Sequence, residues 1–468
     1  MFETKLIQLF VRLSAEERRC LRKWMVSDFV NKNEDIIRFF EFIDSRTSVN
    51  ENTVKKEKAH EYLYKNTPYN DLRIRHLIWM TTDILENFIA YNSLSSQQAL
   101  KESLLAQYYA EKELFKYAND SIEDGLAVTE KMPLRNGVYY ISRYQFFSEF
   151  YHVNSRNNRS QDFKLQEVID SITLFSAFEI LKYACIVQSF QKISAHKIEN
   201  PLLEPVLSFI KQPAYLEITP LRIYYHIYRV ITEENDEAFD SFINDIKKQN
   251  HSFTKQDLKD LYLLAINFCI KKSNQNILRY TEMAFELYLY AVKEGHLLEH
   301  NEISRFSFTN VVTLGLKLKD LARTEQFIKD YSSLIMEEYR QNTIDFNTAK
   351  TLYAKEQYKK ALKILLTNEF KDTIWNLNAK YLTIKIFFET EDMESFQTYL
   401  KAFKIYIKRK SNVGYHKTYF TQVMQALSRL QEIYNRPYKF KNFVFPEDTP
   451  DIDWFNKALK KAQRKAPA

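Results

Sequence analysis

Glycine is nearly missing from this chain: 5 of 468 residues, at positions 125, 137, 295, 315 and 414. An average protein carries about 7%. A phosphate-cradling loop needs several glycines within a few residues, so that the backbone turns tightly and approaches the pyrophosphate. No such cluster exists here, which excludes the glycine-rich nucleotide sites. The same scarcity argues against tight β-hairpin turns and leaves helices joined by polar corners. Cysteine is scarce too. Cys20, Cys185 and Cys269 form no C-x-x-C pair, and each is flanked by helix-patterned apolar residues. That pattern predicts three buried, reduced thiols and a reducing compartment. No apolar run reaches the roughly 18 residues of a membrane span. The N-terminus, MFETKLIQLFVRLSAEERR, interleaves charges with apolar residues and lacks a signal-peptide core. The expectation is a cytoplasmic protein without a membrane partner.

Aromatic residues are abundant, with 35 Phe and 31 Tyr. Hydrophobic content of 45% and charged content of 27% suit a soluble chain with a substantial core. The net charge of +7 is unevenly placed. Residues 401–468 hold 15 Lys+Arg against 5 Asp+Glu, or +10, so the first 400 residues carry −3. Basic character belongs to the C-terminal end.

Helical spacing dominates the order of residues. Phe2, Leu6, Phe10 and Leu13 form one stripe, and Ser14-Ala15-Glu16-Glu17 has the form of a capping box. Leu21, Trp24 and Met25 give the next helix its buried face. Asn33 caps a third, with Ile36, Phe40 and Ile43 inward. A basic helix over 53–64 leads to Pro68, and a longer helix carries Ile74, Leu77, Ile78, Thr81, Ile84, Leu85 and Phe88. Residues 1–96 read as an N-terminal helical domain. Paired helices of this kind are far more often plain αα-hairpins than DNA-reading units.

From 97 to 445 the pattern is a run of helices with short polar corners. Leu321, Tyr358 and Met393 each follow a polar corner residue (Asp320, Gln357, Asp392) at spacings of 37 and 35. Thr324, Ala361 and Phe396 follow three residues later; Ile328, Leu365 and Leu400 follow seven later. This is the register of a tetratricopeptide-type helix pair of about 34 residues, stacked so that neighbours bury a continuous core. Ala349, Leu352, Tyr358, Ala361 and Leu365 match it best, with small residues where helices cross. The fold expected is all-α: an α-solenoid of about ten degenerate helix pairs. Pro201, Pro205, Pro213 and Pro220 predict an irregular break near 197–220. Beyond Pro437, Pro446 and Pro450, residues 446–468 hold a last helix with Ile452, Phe455, Ala458, Leu459 and Ala462 on one face. It reads as the terminal cap of the array, followed by a basic tail.

Short blocks add a resemblance. Leu13-Ser14 through Glu17, Leu21 to Asn31-Lys32-Asn33, and Pro68-Tyr69-Asn70-Asp71-Leu72-Arg73 carry it, with Phe388-Glu389, Lys408-Arg409-Lys410 and Asp453-Trp454. Together they resemble an uncharacterised bacterial family of tetratricopeptide-like helical proteins. The resemblance implies an all-helical cytoplasmic protein and transfers no activity to any residue.

The residues offer three functional readings. His296-Leu297-Leu298-Glu299-His300 fits H-x-x-E-H, which on a helix would put two imidazoles on one face for zinc, with a glutamate to activate water. Gly295 before it reads as a helix C′ residue, which makes the segment a polar corner instead. Lys401, Lys404 and Lys408, at i, i+3 and i+7, give one cationic helix face, continued by Arg409 and Lys410. It is a solvated face or a site for an anionic partner such as nucleic acid. No pattern of catalytic residues argues for an enzyme, and none implies a cofactor. The leading expectation is a non-enzymatic scaffold that binds a partner protein or peptide on a helical-repeat surface. Nucleic-acid binding through the basic C-terminal region is the alternative, and a zinc peptidase is a distant third.

Overall fold

The computed structural model describes residues 1–46, 48–155, 162–191, 196–275, 277–370, 372–409 and 416–464. The fold is all-α: helix takes up 76% of the chain. Among the described residues the one sheet is a two-stranded hairpin, β1 (Leu298–Glu299) with β2 (Glu302–Ile303). The chain divides into two compact units, 1–175 and 176–468. That division lies inside the 97–445 stretch of polar-cornered helices.

In the first unit, α1 (Lys5–Phe10), α2 (Ala15–Met25), α3 (Glu34–Asp44), α4 (Lys56–Leu63) and α5 (Asp71–Ser96) enclose one core. The Ser14–Glu17 capping box forms in both directions. Ser14 Oγ accepts from the Glu17 N–H at 3.2 Å, and Glu17 Oε2 accepts from the Ser14 N–H at 2.7 Å. Asn33 and Asn70 cap α3 and α5 through their side chains. Leu6, Phe10 and Leu13 are buried, whereas Phe2 precedes the first helical turn and stays exposed. Next, α6 (Gln98–Glu111), α7 (Phe115–Glu130) and α8 (Gly137–Asn154) pack on one another around Ala106, Ala118, Ile122 and Phe146. Gly125 makes this crossing feasible, since a β-carbon there would lie 2.1 Å from the Phe146 ring. Then α9 (Leu165–Phe190) runs through the division at 175/176.

In the second unit the rest of α9 is followed by α10 (Leu203–Ile210) and α11 (Pro213–Leu216). The stretch 197–220 is therefore less irregular than its prolines suggest. Pro205, Pro213 and Pro220 lie in first helical turns, where a missing N–H breaks no intrahelical bond. Six pairs follow: α12 (Thr219–Glu233) with α13 (Asp236–Lys248), α14 (Lys255–Asn274) with α15 (Leu278–Lys293), and α16 (Arg305–Lys317) with α17 (Leu321–Tyr331). The others are α18 (Glu337–Ala354) with α19 (Tyr358–Thr367), α20 (Thr373–Glu389) with α21 (Met393–Arg409), and α22 (His416–Asn435) with α23 (Ile452–Gln463). First members also pack together, α12 on α14, α16 on α18 and α18 on α20.

Leu321, Tyr358 and Met393 are the first residues of α17, α19 and α21, as the corner spacing predicts. Thr324, Ala361 and Phe396 are all fully buried. Ile328 is only half-buried, because Phe327 takes the inward position. The corners are built alike. Lys319, Glu356 and Glu391 adopt left-handed φ of 59°, 58° and 60°. The next N–H (Asp320, Gln357, Asp392) donates to the carbonyl five residues back, at 2.9, 2.9 and 3.0 Å. This closes each helix as a Schellman motif does, with long polar residues where glycine is usual. The first unit repeats it at Glu113, with Leu114 N–H on Tyr109 O at 2.8 Å.

Two expectations are corrected. Cys20 is exposed, whereas Cys185 and Cys269 are buried. Its helix buries Leu21 and Met25, and the position before Leu21 points about 100° away from that stripe. Glycine scarcity also does not abolish hairpins. His300 and Asn301, with φ of 49° and 64°, supply the β1–β2 turn, two residue types enriched in left-handed backbone.

Candidate binding surfaces of the second unit

The H-x-x-E-H segment lies in that hairpin rather than on a helix. Gly295, with φ of 76°, ends the preceding helical turn. His296 turns inward and stacks on Tyr262, ring centroids 5.1 Å apart, and burial lowers its pKa. Glu299 takes the Lys259 ammonium, whose hydrogen bond lowers the carboxyl pKa, and His300 occupies the turn. The helical geometry that would set both imidazoles on one face is not formed. Among the described residues, no group of three His, Cys, Asp or Glu is placed to hold a metal.

The basic helix face divides. Lys404 is half-buried and Lys408 exposed, and both line a groove of about 730 Å³ between α21, α22 and the segment before α23. Arg429, Glu432 and Asp448 line it too, and Arg429 is paired with Glu432 at 2.7 Å. Among the described residues Lys404 and Lys408 have no ion-pair partner. Lys401 and Arg409 are exposed on α21 outside this groove. Lys410 lies outside the described residues.

A second set of lysines lies near the C-terminal ends of α16, α18 and α20: Lys350 and Lys385 stand six residues before the left-handed corner residues Glu356 and Glu391, where α16 has Thr313, and Lys317 lies one turn beyond Thr313. Lys317, Lys350 and Lys385 are 33 and 35 residues apart. Lys317 Nζ reaches α14, donating to Ser273 O at 2.6 Å and Ser273 Oγ at 3.1 Å. Lys350 Nζ donates to Thr313 Oγ1 on α16. A parallel bond runs from Asn347 Nδ2 to Thr309 Oγ1 at 2.9 Å. Lys385 meets a carboxylate instead: its Nζ donates to Asp451 Oδ2 at 2.7 Å. The Tyr381 hydroxyl donates to the same oxygen at 2.8 Å. Trp454 Nε1 donates to Glu389 Oε1 at 2.8 Å and Lys461 Nζ to Glu389 O at 2.7 Å, fixing α23 against α20. The Lys385 ammonium also lies 5.0 Å from the Trp454 ring centroid, within cation–π range.

Surroundings separate the three ammonium groups. Lys350 is only half-buried, yet dense protein around it and, secondarily, the charge of Lys385 bring its pKa down to about 8. Asp451 opposes this shift. Burial also lowers the Lys317 pKa, opposed by Asp453. Among the described residues neither Lys317 nor Lys350 has a carboxylate within ion-pair distance. Lys350, closely surrounded by protein, and the more exposed Lys317 thus face hydroxyl and carbonyl oxygens, an arrangement suited to taking an anionic group. The lysine spacing was present in the sequence, but lysine is common and nothing there shows that these three share a face.

Among the described residues, no helix is long and apolar enough to cross a membrane. No protein-family model matches the chain, and no curated protein or solved structure matches it.

Proposed function

We propose that the second unit is a degenerate tetratricopeptide-like repeat array, an α-solenoid capped by 446–468. In this reading the chain is a non-enzymatic scaffold that holds a partner protein or peptide on the array. One observation carries it: successive pairs place Lys350 and Lys385 at equivalent positions, six residues before the left-handed corner residues Glu356 and Glu391, with Lys317 one turn further along α16. Stacked repeats present equivalent positions side by side along one surface, which is how such arrays bind extended partners. The recurring corners and the small residues at helix crossings support the same reading. The resemblance of the short sequence blocks to a tetratricopeptide-like family belongs to the same proposal. The test is affinity purification of the full chain from its native cell with mass spectrometry, followed by reconstitution from purified components. A saturable binary complex is expected. Reconstitution that fails for every co-purifying protein contradicts the reading.

Nucleic-acid binding keeps one specific support, the unpaired Lys404 and Lys408 in their groove. Phosphate contacts release counterions, so such binding would weaken steeply with salt. The scaffold reading expects weak, sequence-blind association in titrations of labelled RNA and duplex DNA. Binding that survives physiological salt and is lost when Lys401, Lys404, Lys408, Arg409 and Lys410 become glutamine would favour the nucleic-acid reading.

A further inference from the structure

Among the described residues, only the third of these lysines, Lys385, has a carboxylate within ion-pair distance. Asp451 enters at the start of α23 with a left-handed φ of 58°, a backbone conformation uncommon for residues other than glycine. Its carboxylate is held by both Lys385 and Tyr381, and the Trp454 indole is anchored three residues later. An aspartate and an aromatic ring from the N-cap and first turn of α23 thus occupy the Lys385 position. The Lys350 and Lys317 ammonium groups donate only to neutral oxygens, with Asp451 and Asp453 acting on them from beyond ion-pair distance. Lys317 is exposed and Lys350 retains partial exposure, so both can be reached from solvent. A desolvated cation without a counterion carries a penalty that an incoming carboxylate removes.

We propose that the face of α16 and α18 bearing Lys317 and Lys350 binds an acidic peptide segment. Its carboxylates take the place that Asp451 takes on Lys385. This inference rests on the scaffold reading and names the chemistry of its partner. Charge complementarity selects the occupant, and the internal Asp451 contact shows what a carboxylate does on this surface. The basic groove at Lys404 and Lys408 is a different place, lined by acids as well as bases.

The experiment titrates full-length protein into fluorescein-labelled octaaspartate, with octaasparagine and octauridylate as controls, at low and physiological salt. Octaaspartate is expected to bind saturably and octaasparagine not at all. Lys317→Gln with Lys350→Gln should weaken octaaspartate by about tenfold or more, the scale of losing charge-assisted hydrogen bonds. Lys404→Gln with Lys408→Gln should change it by less than about twofold. Lys350→Met, which removes the charge and retains bulk, is the second variant, and melting curves establish that each variant folds. The wild-type protein gives a variant-free readout. Thr313 on α16, Phe346 on its own helix, Lys385 on α20 and Asp451 before α23 face Lys350, and a new carboxylate there raises its pKa. Calorimetry near pH 8 in buffers of different ionisation enthalpy should show proton uptake on binding. No octaaspartate binding, loss carried by Lys404 and Lys408, equal affinity for octauridylate, or zero proton uptake would overturn the proposal. If a reconstituted protein partner still binds after such a failure, the scaffold reading survives and the acidic chemistry does not.

Discussion

Gly315 on α16 and Thr324 on α17 meet so closely that a β-carbon on Gly315 would lie 2.0 Å from the Thr324 hydroxyl oxygen. Thr324 cannot readily turn away, because it is fully buried and its hydroxyl donates to Asp320 O at 2.6 Å. One pair later Leu352 and Ala361 stand at these positions, and Ala361 shares a fully buried cluster with Ala349 instead. Gly315→Ala should therefore destabilise the second unit by about 1–3 kcal/mol, the usual cost of overpacking. Adding Thr324→Ala should recover part of that, with Phe285, 3.1 Å from the same β-carbon, limiting the recovery. Denaturant midpoints check this; equal losses in single and double variants would contradict the crossing.

The left-handed corner residues carry a cost that glycine would not. For Glu356, with φ of 58°, the left-handed backbone costs about 1–2 kcal/mol, partly offset because glycine loses more freedom on folding. Glu356→Gly is expected to raise stability by roughly 0.5–1 kcal/mol. Glu234, with φ of 53°, differs because its carboxylate pairs with Lys271 and Lys272. Glu234→Gly should gain less than Glu356→Gly in the same unfolding assay.

Asp451 ties the last helix to α20 through Lys385 and Tyr381. Only 13% of the Lys385 side chain is exposed, so removing its partner strands a largely buried charge. Asp451→Ala should cost about 2–4 kcal/mol, more than an ordinary surface change. Asp451→Asn, which tolerates the left-handed backbone and still accepts from Tyr381, should cost less. Thermal melts of the two variants decide, and similar small losses would mean that the carboxylate does not anchor this helix.

Lys350 makes stability depend on pH in a defined direction. Burial lowers its pKa from the ordinary 10.5 to about 8, so the folded state disfavours the charged form. Below about pH 8 both states are protonated and the whole penalty is present. Between about 8 and 10.5 the folded state loses its proton first and the penalty fades with rising pH. Lys350→Met should therefore exceed the wild type in stability most clearly below pH 8, with the gap closing toward 10.5. A gap that stays constant across that window would show that Lys350 is not desolvated.

Much of the fold is legible in the sequence because it rests on local rules. The Ser14–Glu17 box, the Asn33 cap and the helix starts at Leu321, Tyr358 and Met393 all follow from side chains within one turn of the backbone they serve. The misses involve a second element or an unusual backbone. Cys20 needed the direction of the α2 stripe rather than its apolar surroundings, and His300-Asn301 form a hairpin turn without glycine. Lys404 and Lys408 share a groove, as their helical spacing allows, but Lys401 and Arg409 stay outside it. Lys317, Lys350 and Lys385 become a set only when α14, α16, α18, α20 and the start of α23 are placed around them.

A protein partner lying on the face of α16, α18 and α20 would shield those helices from exchange with solvent. Hydrogen exchange on the full chain, alone and with its reconstituted partner, should show slowed exchange in 305–317, 337–354 and 373–389, lost together with binding in the Lys317→Gln, Lys350→Gln protein. Protection confined to 401–409 and 416–435, or complex formation indifferent to both lysines, would contradict it.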